Sequence, residues 1–184
     1  MHRRRVYALA IYTGMRQAEL RALTARDVDL DAMQITVARQ VRDGVEKART
    51  KAGRARVVAI EPNLAPLLRV LVSDHPVGRL LRMPQGSNHP AETLREDLVR
   101  AGCTRDALHV AANDPMRARM KFHNLRDTCL THMAVRRDAP QDVQWRAGHT
   151  TPAMTEKYIA NAQNEAGPNF GQPLPPLPAD VIVM

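Results

Sequence analysis

Residues 122–158 read FHNLRDTCLTHMAVRRDAPQDVQWRAGHTTPAMTEKY, and this stretch decides the architecture. Between residues 124 and 136, Leu125, Cys129, Leu130 and Met133 recur at helical spacing and so share one face of an α-helix. Asp138-Ala139-Pro140 opens a second helix through Val143 and Trp145, and Gly148 suits the left-handed residue that often ends one. Thr150 or Thr151 with Pro152 begins a third: threonine caps a first turn, and proline's missing donor costs nothing there. Helices joined by turns this short must pack on one another. Their turns and faces carry His123, Arg126, His149 and Tyr158.

Working outward, residues 6–11 are apolar and Thr13-Gly14 breaks the run. Helical spacing resumes over residues 17–23 with Ala18, Leu20, Ala22 and Leu23, which leaves Arg16 in or beside the turn. Residues 27–31 read as a loop. Residues 33–41 alternate apolar and polar and predict a strand; Asp43-Gly44 supplies the positive dihedrals of a tight hairpin turn. Residues 45–50 return, residues 51–54 turn again, and residues 55–61 form a third strand, giving a meander with Lys51 at its second turn. Leu64, Leu67, Leu68 and Leu71 predict a further helix; residues 73–90 read mostly as loop, and residues 92–101 as a helix ending at Gly102. The expected fold class is mixed α+β, mostly α, with a small three-stranded antiparallel sheet near the N-terminal third. Residues 1–166 form the expected domain. Residues 167–184 form a Pro-rich C-terminal tail, expected to be extended or disordered on its own, with its one apolar patch at residues 181–184.

The 184 residues suffice for one domain with a real core, and 44% hydrophobic with 25% charged content is ordinary for a globular chain. A net charge of +8, carried mostly by arginine, suits a polyanion, although a GC-rich genome favouring arginine codons yields the same balance. No stretch is apolar enough to span a membrane, and the basic start at Met1–Arg5 lacks the apolar core of a secretory signal. A cytoplasmic location is therefore expected. Cys103 and Cys129 are expected to be free thiols, and no paired Cys/His spacing suggests a metal site.

Taken singly, each chemical motif is weak. His123 and Arg126 lie three apart at a helix start, where side chains and backbone amides together favour an anion. Tyr158 on a helix is, taken by itself, usually a packing residue. Their order is more specific. Thr13-Gly14-Met15-Arg16, then Thr50-Lys51, then His123 with Arg126, then Gly148-His149 follow in sequence, with His149 23 residues after Arg126 and Tyr158 9 residues after His149.

In this pattern the chain resembles the catalytic domain of the tyrosine recombinases, the phage integrase family, over about residues 5–160. The resemblance implies a site-specific recombinase or integrase. Tyr158 attacks a DNA phosphate to form a 3′-phosphotyrosyl link, Arg16 and Arg126 grip the non-bridging oxygens, and Lys51 protonates the leaving 5′ oxygen. His149 bonds the phosphate and His123 assists proton movement near Tyr158. It further implies double-stranded DNA as partner, tetrameric self-association on DNA, no membrane, no small-molecule substrate, no cofactor and no metal. Glu19 either orients Arg16 or makes a surface ion pair. Asp127 and His132 read as structural, and Trp145 as core.

Two features depart from the family pattern. Trp145-Arg146-Ala147 stands where aliphatic residues are usual, so Arg146 either points outward or weakens the packing of its helix. About one further helix before Arg5, and before that a separate DNA-clamping N-terminal domain, are expected of the family and lie outside these 184 residues. Weak, strongly salt-dependent DNA affinity is expected in consequence. Alternatives remain: a type IB topoisomerase or telomere resolvase, an inactive DNA-binding remnant that occupies sites or modulates a full-length recombinase, or a basic helical protein with RNA partners.

Overall fold

The computed structural model describes residues 2–48, 55–83, 89–111, 113–164 and 174–183. The chain is mostly helical with a small antiparallel sheet. In order it runs α1 (His2–Thr13), α2 (Gln17–Leu20), β1 (Val28–Asp29), β2 (Gln34–Val37), β3 (Arg39–Arg42), β4 (Val45–Ala48) and β5 (Arg56–Ala59). There follow α3 (Ala65–Asp74), α4 (His89–Arg100), α5 (His123–Val135), α6 (Pro140–Ala147), α7 (Ala153–Asn164) and the short α8 (Ala179–Ile182). None of the described helices is long and apolar enough to cross a membrane.

The three-stranded sheet has the order β1-β2-β5, all antiparallel. Its composition differs from the expected meander in two ways. The single strand expected over residues 33–41 breaks at Ala38: β2 pairs with β5, whereas β3 pairs with β4 in a separate hairpin. Alternation identifies strand conformation but not the partner. Here Arg39 at the base of the hairpin bonds Asp27 at 2.5 Å and Thr24 at 2.9 Å, tying it to the 3-10 turn Ala25–Asp27 instead. The vacated sheet edge goes to β1, which lies within the residues expected to be a loop. The hairpin turn itself is as expected, with φ of 50° at Asp43 and 76° at Gly44.

Along β2, Ile35 and Val37 face inward; along β5, Arg56 and Val58 do so, paired Ile35 with Val58 and Val37 with Arg56. This face joins α1, α3 and α4 in the main core, which centres on Leu9, Leu20, Leu64, Leu67 and Leu68. A second cluster of Cys129, Leu130, Met133, Val143, Ala147 and Tyr158 fills the space among α5, α6 and α7. The tail does not lie apart. Leu174, Leu177, Val181 and Ile182 pack against the main core, and the buried Arg5 donates to the carbonyls of Val181 and Ile182 at 3.2 and 3.0 Å. Apolar residues spaced through a Pro-rich segment thus have a groove to fill, which composition alone does not reveal.

Gly14 ends α1. Its amide donates to the Ala10 carbonyl at 3.1 Å, its φ is 65°, and a Cβ there would meet the Cys129 sulfur at 3.1 Å. Only glycine fits both the backbone conformation and the close approach of α5. Gly14→Ala should destabilise the fold by more than about 1–2 kcal/mol, the cost of the left-handed conformation alone, read from urea denaturation. Gly44→Ala is the control, since its φ is also positive but nothing lies within 4 Å. Equal losses in the two variants would contradict the close-approach argument.

Candidate active site

The turn after α1 sets Arg16 in extended conformation at the N-cap of α2, with φ −69° and ψ 149°. Glu19, three residues on, accepts from the Arg16 amide at 2.8 Å and from its guanidinium at 3.3 Å. Glu19 is buried, so the ion pair is no surface feature. Its carboxylate also receives both arms of Arg56, at 2.9 and 2.8 Å, and Arg56 spans onward to the Arg146 carbonyl at 2.8 Å. Burial pushes a carboxyl up, but the Arg56 fork and the Arg16 bonds outweigh it and hold Glu19 down at about 2. Arg146 points inward too, donating to the Tyr12 carbonyl at 3.2 Å and facing Glu61 at 3.5 Å. Trp145 takes the outward position: it is 58% exposed, with its indole donating to the Val57 carbonyl at 3.1 Å. The expectation of a core tryptophan is thereby corrected, because the residue facing the interior at this point of α6 is its arginine neighbour.

Arg126 on α5 is only 2% exposed. Its guanidinium donates to the Gly14 carbonyl at 2.6 Å and the Ala147 carbonyl at 2.7 Å, and one nitrogen lies 3.3 Å from His149 Nε2. Its Nε is buried with no hydrogen-bond partner among the described residues. Burial, then the like charge of Arg16, brings this group down to about 10, which still leaves it charged at neutral pH. Arg16 meanwhile reaches the Gly148 carbonyl at 3.4 Å. Two guanidinium groups from distant parts of the chain therefore converge on consecutive carbonyls of the α6–α7 turn.

Gly148 makes that turn with φ 61°, bringing His149 back over the site. Thr155 at the start of α7 lies 2.9 Å from His149 Nδ1. With Arg126 donating toward Nε2, the consistent neutral tautomer carries its proton on Nδ1 and donates it to Thr155. The imidazole stacks on the Tyr158 ring, with centroids 5.8 Å apart and planes 13° from parallel. Tyr158 is buried; its hydroxyl donates to Asp127 Oδ1 at 2.7 Å, and Lys157 Nζ sits 4.5 Å above its ring. Burial first, then the Asp127 bond and charge, raise its hydroxyl above the ordinary tyrosine value. His123, at the start of α5, stands 3.5 Å from that same carboxylate oxygen.

Of the six residues singled out from the sequence, Arg16, Arg126, His149 and Tyr158 meet here, and His123 joins them through Asp127. Lys51 lies outside the described residues. Sequence reasoning passed over Arg56 and read Asp127 as structural. The first had a signal: an arginine at an inward strand position requires a buried acid. Asp127 sits one helical turn after His123, but nothing in the sequence shows that it reaches Tyr158.

The profile of the phage integrase family matches residues 1–165. The chain belongs to the phage integrase family, the tyrosine recombinases. This family member shares its fold with the Tn1549 transposon integrase solved in complex with circular intermediate DNA, at 19% identity and a TM-score of 0.63 over 88% of this chain and 58% of that one. It also resembles XerA recombinase, at 21% identity and a TM-score of 0.55 over 89% of this chain and 61% of that one. The chain thus spans about three fifths of the solved structures it matches. No curated protein sequence matches it.

Burial, with the charges of Arg126, Arg16, Lys157 and Arg56, pushes His149 down to about 4 from an ordinary 6.5. Between these values the unfolded chain binds more protons than the folded one. The contribution of this residue to stability is then complete above about pH 6.5 and lost as pH falls toward 4. Imidazole NMR of the chain alone should show His149 titrating near 4; a midpoint near 6.5 would contradict this account of its surroundings.

Proposed function

We propose that this chain is the catalytic part of a site-specific DNA recombinase or integrase that cuts and rejoins strands through a phosphotyrosine link. Tyr158 Oη attacks phosphorus, leaving a 3′-phosphotyrosyl bond and a free 5′ hydroxyl; attack by that or another 5′ hydroxyl reverses the step without external energy. Arg16 and Arg126 hold the non-bridging oxygens as negative charge builds on them. His149 bonds the phosphate, Lys51 protonates the leaving oxygen, and His123 assists proton movement near Tyr158.

One observation carries the reading. Arg16 and Arg126 are held close together, the second buried, with no acid among Arg126's hydrogen-bond partners in the described residues and an imidazole and a phenol alongside. Like charges assembled at such cost suit a doubly contacted oxyanion. The net charge of +8 and the DNA complexes of the Tn1549 integrase support DNA as the partner; that the DNA is duplex and that the chain self-associates on it belong to the same proposal.

The test needs no knowledge of a target site. Random-sequence duplexes carrying 5′-bridging phosphorothiolates trap covalent intermediates, because the departing thiol returns poorly. The wild-type chain should yield an SDS-resistant adduct mapped by mass spectrometry to Tyr158. Tyr158→Phe should yield none while retaining salt-sensitive DNA binding. Binding without any wild-type adduct would instead identify a non-catalytic DNA-binding remnant.

A further inference from the structure

The residue in contact with the reacting oxygen of Tyr158 is Asp127. The hydroxyl donates to Asp127 Oδ1 at 2.7 Å. The other carboxylate oxygen, Oδ2, accepts from the Asn124 side chain at 3.1 Å, which fixes the plane of the group and keeps Oδ1 turned to the tyrosine. His123 Nε2 lies 3.5 Å from Oδ1, on the outer side, and its side chain is half exposed to solvent. No hydrogen bond joins His123 to Tyr158 directly among the described residues. His123 and Asp127 are one turn apart on α5 and present a shared face to α7, with Asp127 between the imidazole and the phenol.

Resting on the recombinase reading, we propose that Asp127 accepts the phenolic proton as Tyr158 attacks, with His123 placed to draw that proton on toward solvent. A bond forms between Tyr158 Oη and phosphorus while the bond from phosphorus to the 5′ oxygen breaks. The proton leaving Oη passes to Asp127 Oδ1, and the 5′ oxygen departs with a proton from the acid on its own side, the role given above to Lys51. Rejoining runs backward: the 5′ hydroxyl attacks, Oη leaves phosphorus, and Asp127 returns the proton.

The same contact guards the resting state. Burial and the Asp127 carboxylate both oppose phenolate formation and outweigh the charges of Arg126 and Arg16, which favour it. Tyr158 therefore keeps its proton until a phosphate arrives to take up the charge. His123 suits the onward transfer by its position, 3.5 Å from Oδ1 and half exposed to solvent; burial, with the charges of Arg126, Lys157 and Arg16, outweighs the pull of Asp127 and sets its proton affinity below the ordinary value.

The phosphorothiolate duplex isolates this step, since a thiol leaving group needs no acid. Adduct formation is timed for the wild type, Asp127→Asn, Asp127→Glu and His123→Gln, with DNA binding measured for each. Ionisation of Tyr158 in the DNA-free protein is followed by NMR of ring-labelled tyrosine, assigned with Tyr158→Phe. Asp127→Asn keeps an acceptor oxygen but cannot hold the proton. It should bind DNA as the wild type does and react about 10²- to 10⁴-fold more slowly. Asp127→Glu should recover part of the rate, and Tyr158 should ionise at lower pH in Asp127→Asn. His123→Gln should lose less than Asp127→Asn, because solvent can relieve the carboxylic acid. An Asp127→Asn rate equal to or above wild type overturns the proposal, as does an unchanged Tyr158 ionisation. A larger loss in His123→Gln assigns the proton to His123 and also overturns it. In these cases the recombinase reading stands; a wild-type chain that forms no adduct removes both.

Discussion

A buried positive charge organises this molecule. Taking a guanidinium out of water costs on the order of several kcal/mol unless its hydrogens are met, and Arg126 is almost wholly enclosed. The protein meets the charge with backbone carbonyls, Gly14 from the end of α1 and Ala147 from the end of α6, both at normal bonding distance. Each carbonyl is available because a helix stops there at a left-handed glycine, Gly14 or Gly148. The two glycines, separated by most of the chain, are thus coupled through one side chain. A carbonyl pair only partly offsets a full charge, and that uncompensated charge is what the proposed phosphate contact draws on.

The second buried network aligns the rest. Glu19 caps α2, braces Arg16 and closes a two-armed pair with Arg56 from the sheet, while Arg56 reaches the Arg146 carbonyl on α6. Sheet, N-terminal turn and α6 are therefore fixed to one another by a single carboxylate. With both members of the Glu19–Arg56 pair enclosed, removing either would strand the other's charge. This explains why the small sheet matters to a site built mainly from helices: β5 supplies the strut that keeps Arg16 aimed at the α6–α7 turn.

How much of this was legible in the sequence follows from how local each feature is. The three helices of residues 122–158, the Gly14 and Gly148 turns and the Asp43-Gly44 hairpin depend on nearest neighbours in the chain, and the structure has them where the pattern puts them. Strand pairing is non-local, and alternation could not tell that β2 leaves its own continuation for β5. Trp145 and Arg146 exchanged their expected places because Glu61 and the Tyr12 carbonyl, both distant in sequence, satisfy the arginine inside. The docking of residues 174–183 depends likewise on a groove made elsewhere. For the site, motif order brought out Arg16, His123, Arg126, His149 and Tyr158 together, whereas Asp127 read as structural. An acid beside a motif arginine reads as structural until the partner helix is seen to place a hydroxyl against it.

The most direct measurement is a structure of the chain soaked with vanadate, an anion able to take the five-coordinate shape of a phosphoryl transition state. The account predicts one vanadate held jointly by Arg16, Arg126 and His149, with Tyr158 Oη approaching it from the α7 side and the unpartnered Nε of Arg126 facing it or a water it orders. Arg16 and Arg126 bound to separate anions, or a vanadate that avoids the buried guanidinium altogether, would contradict it.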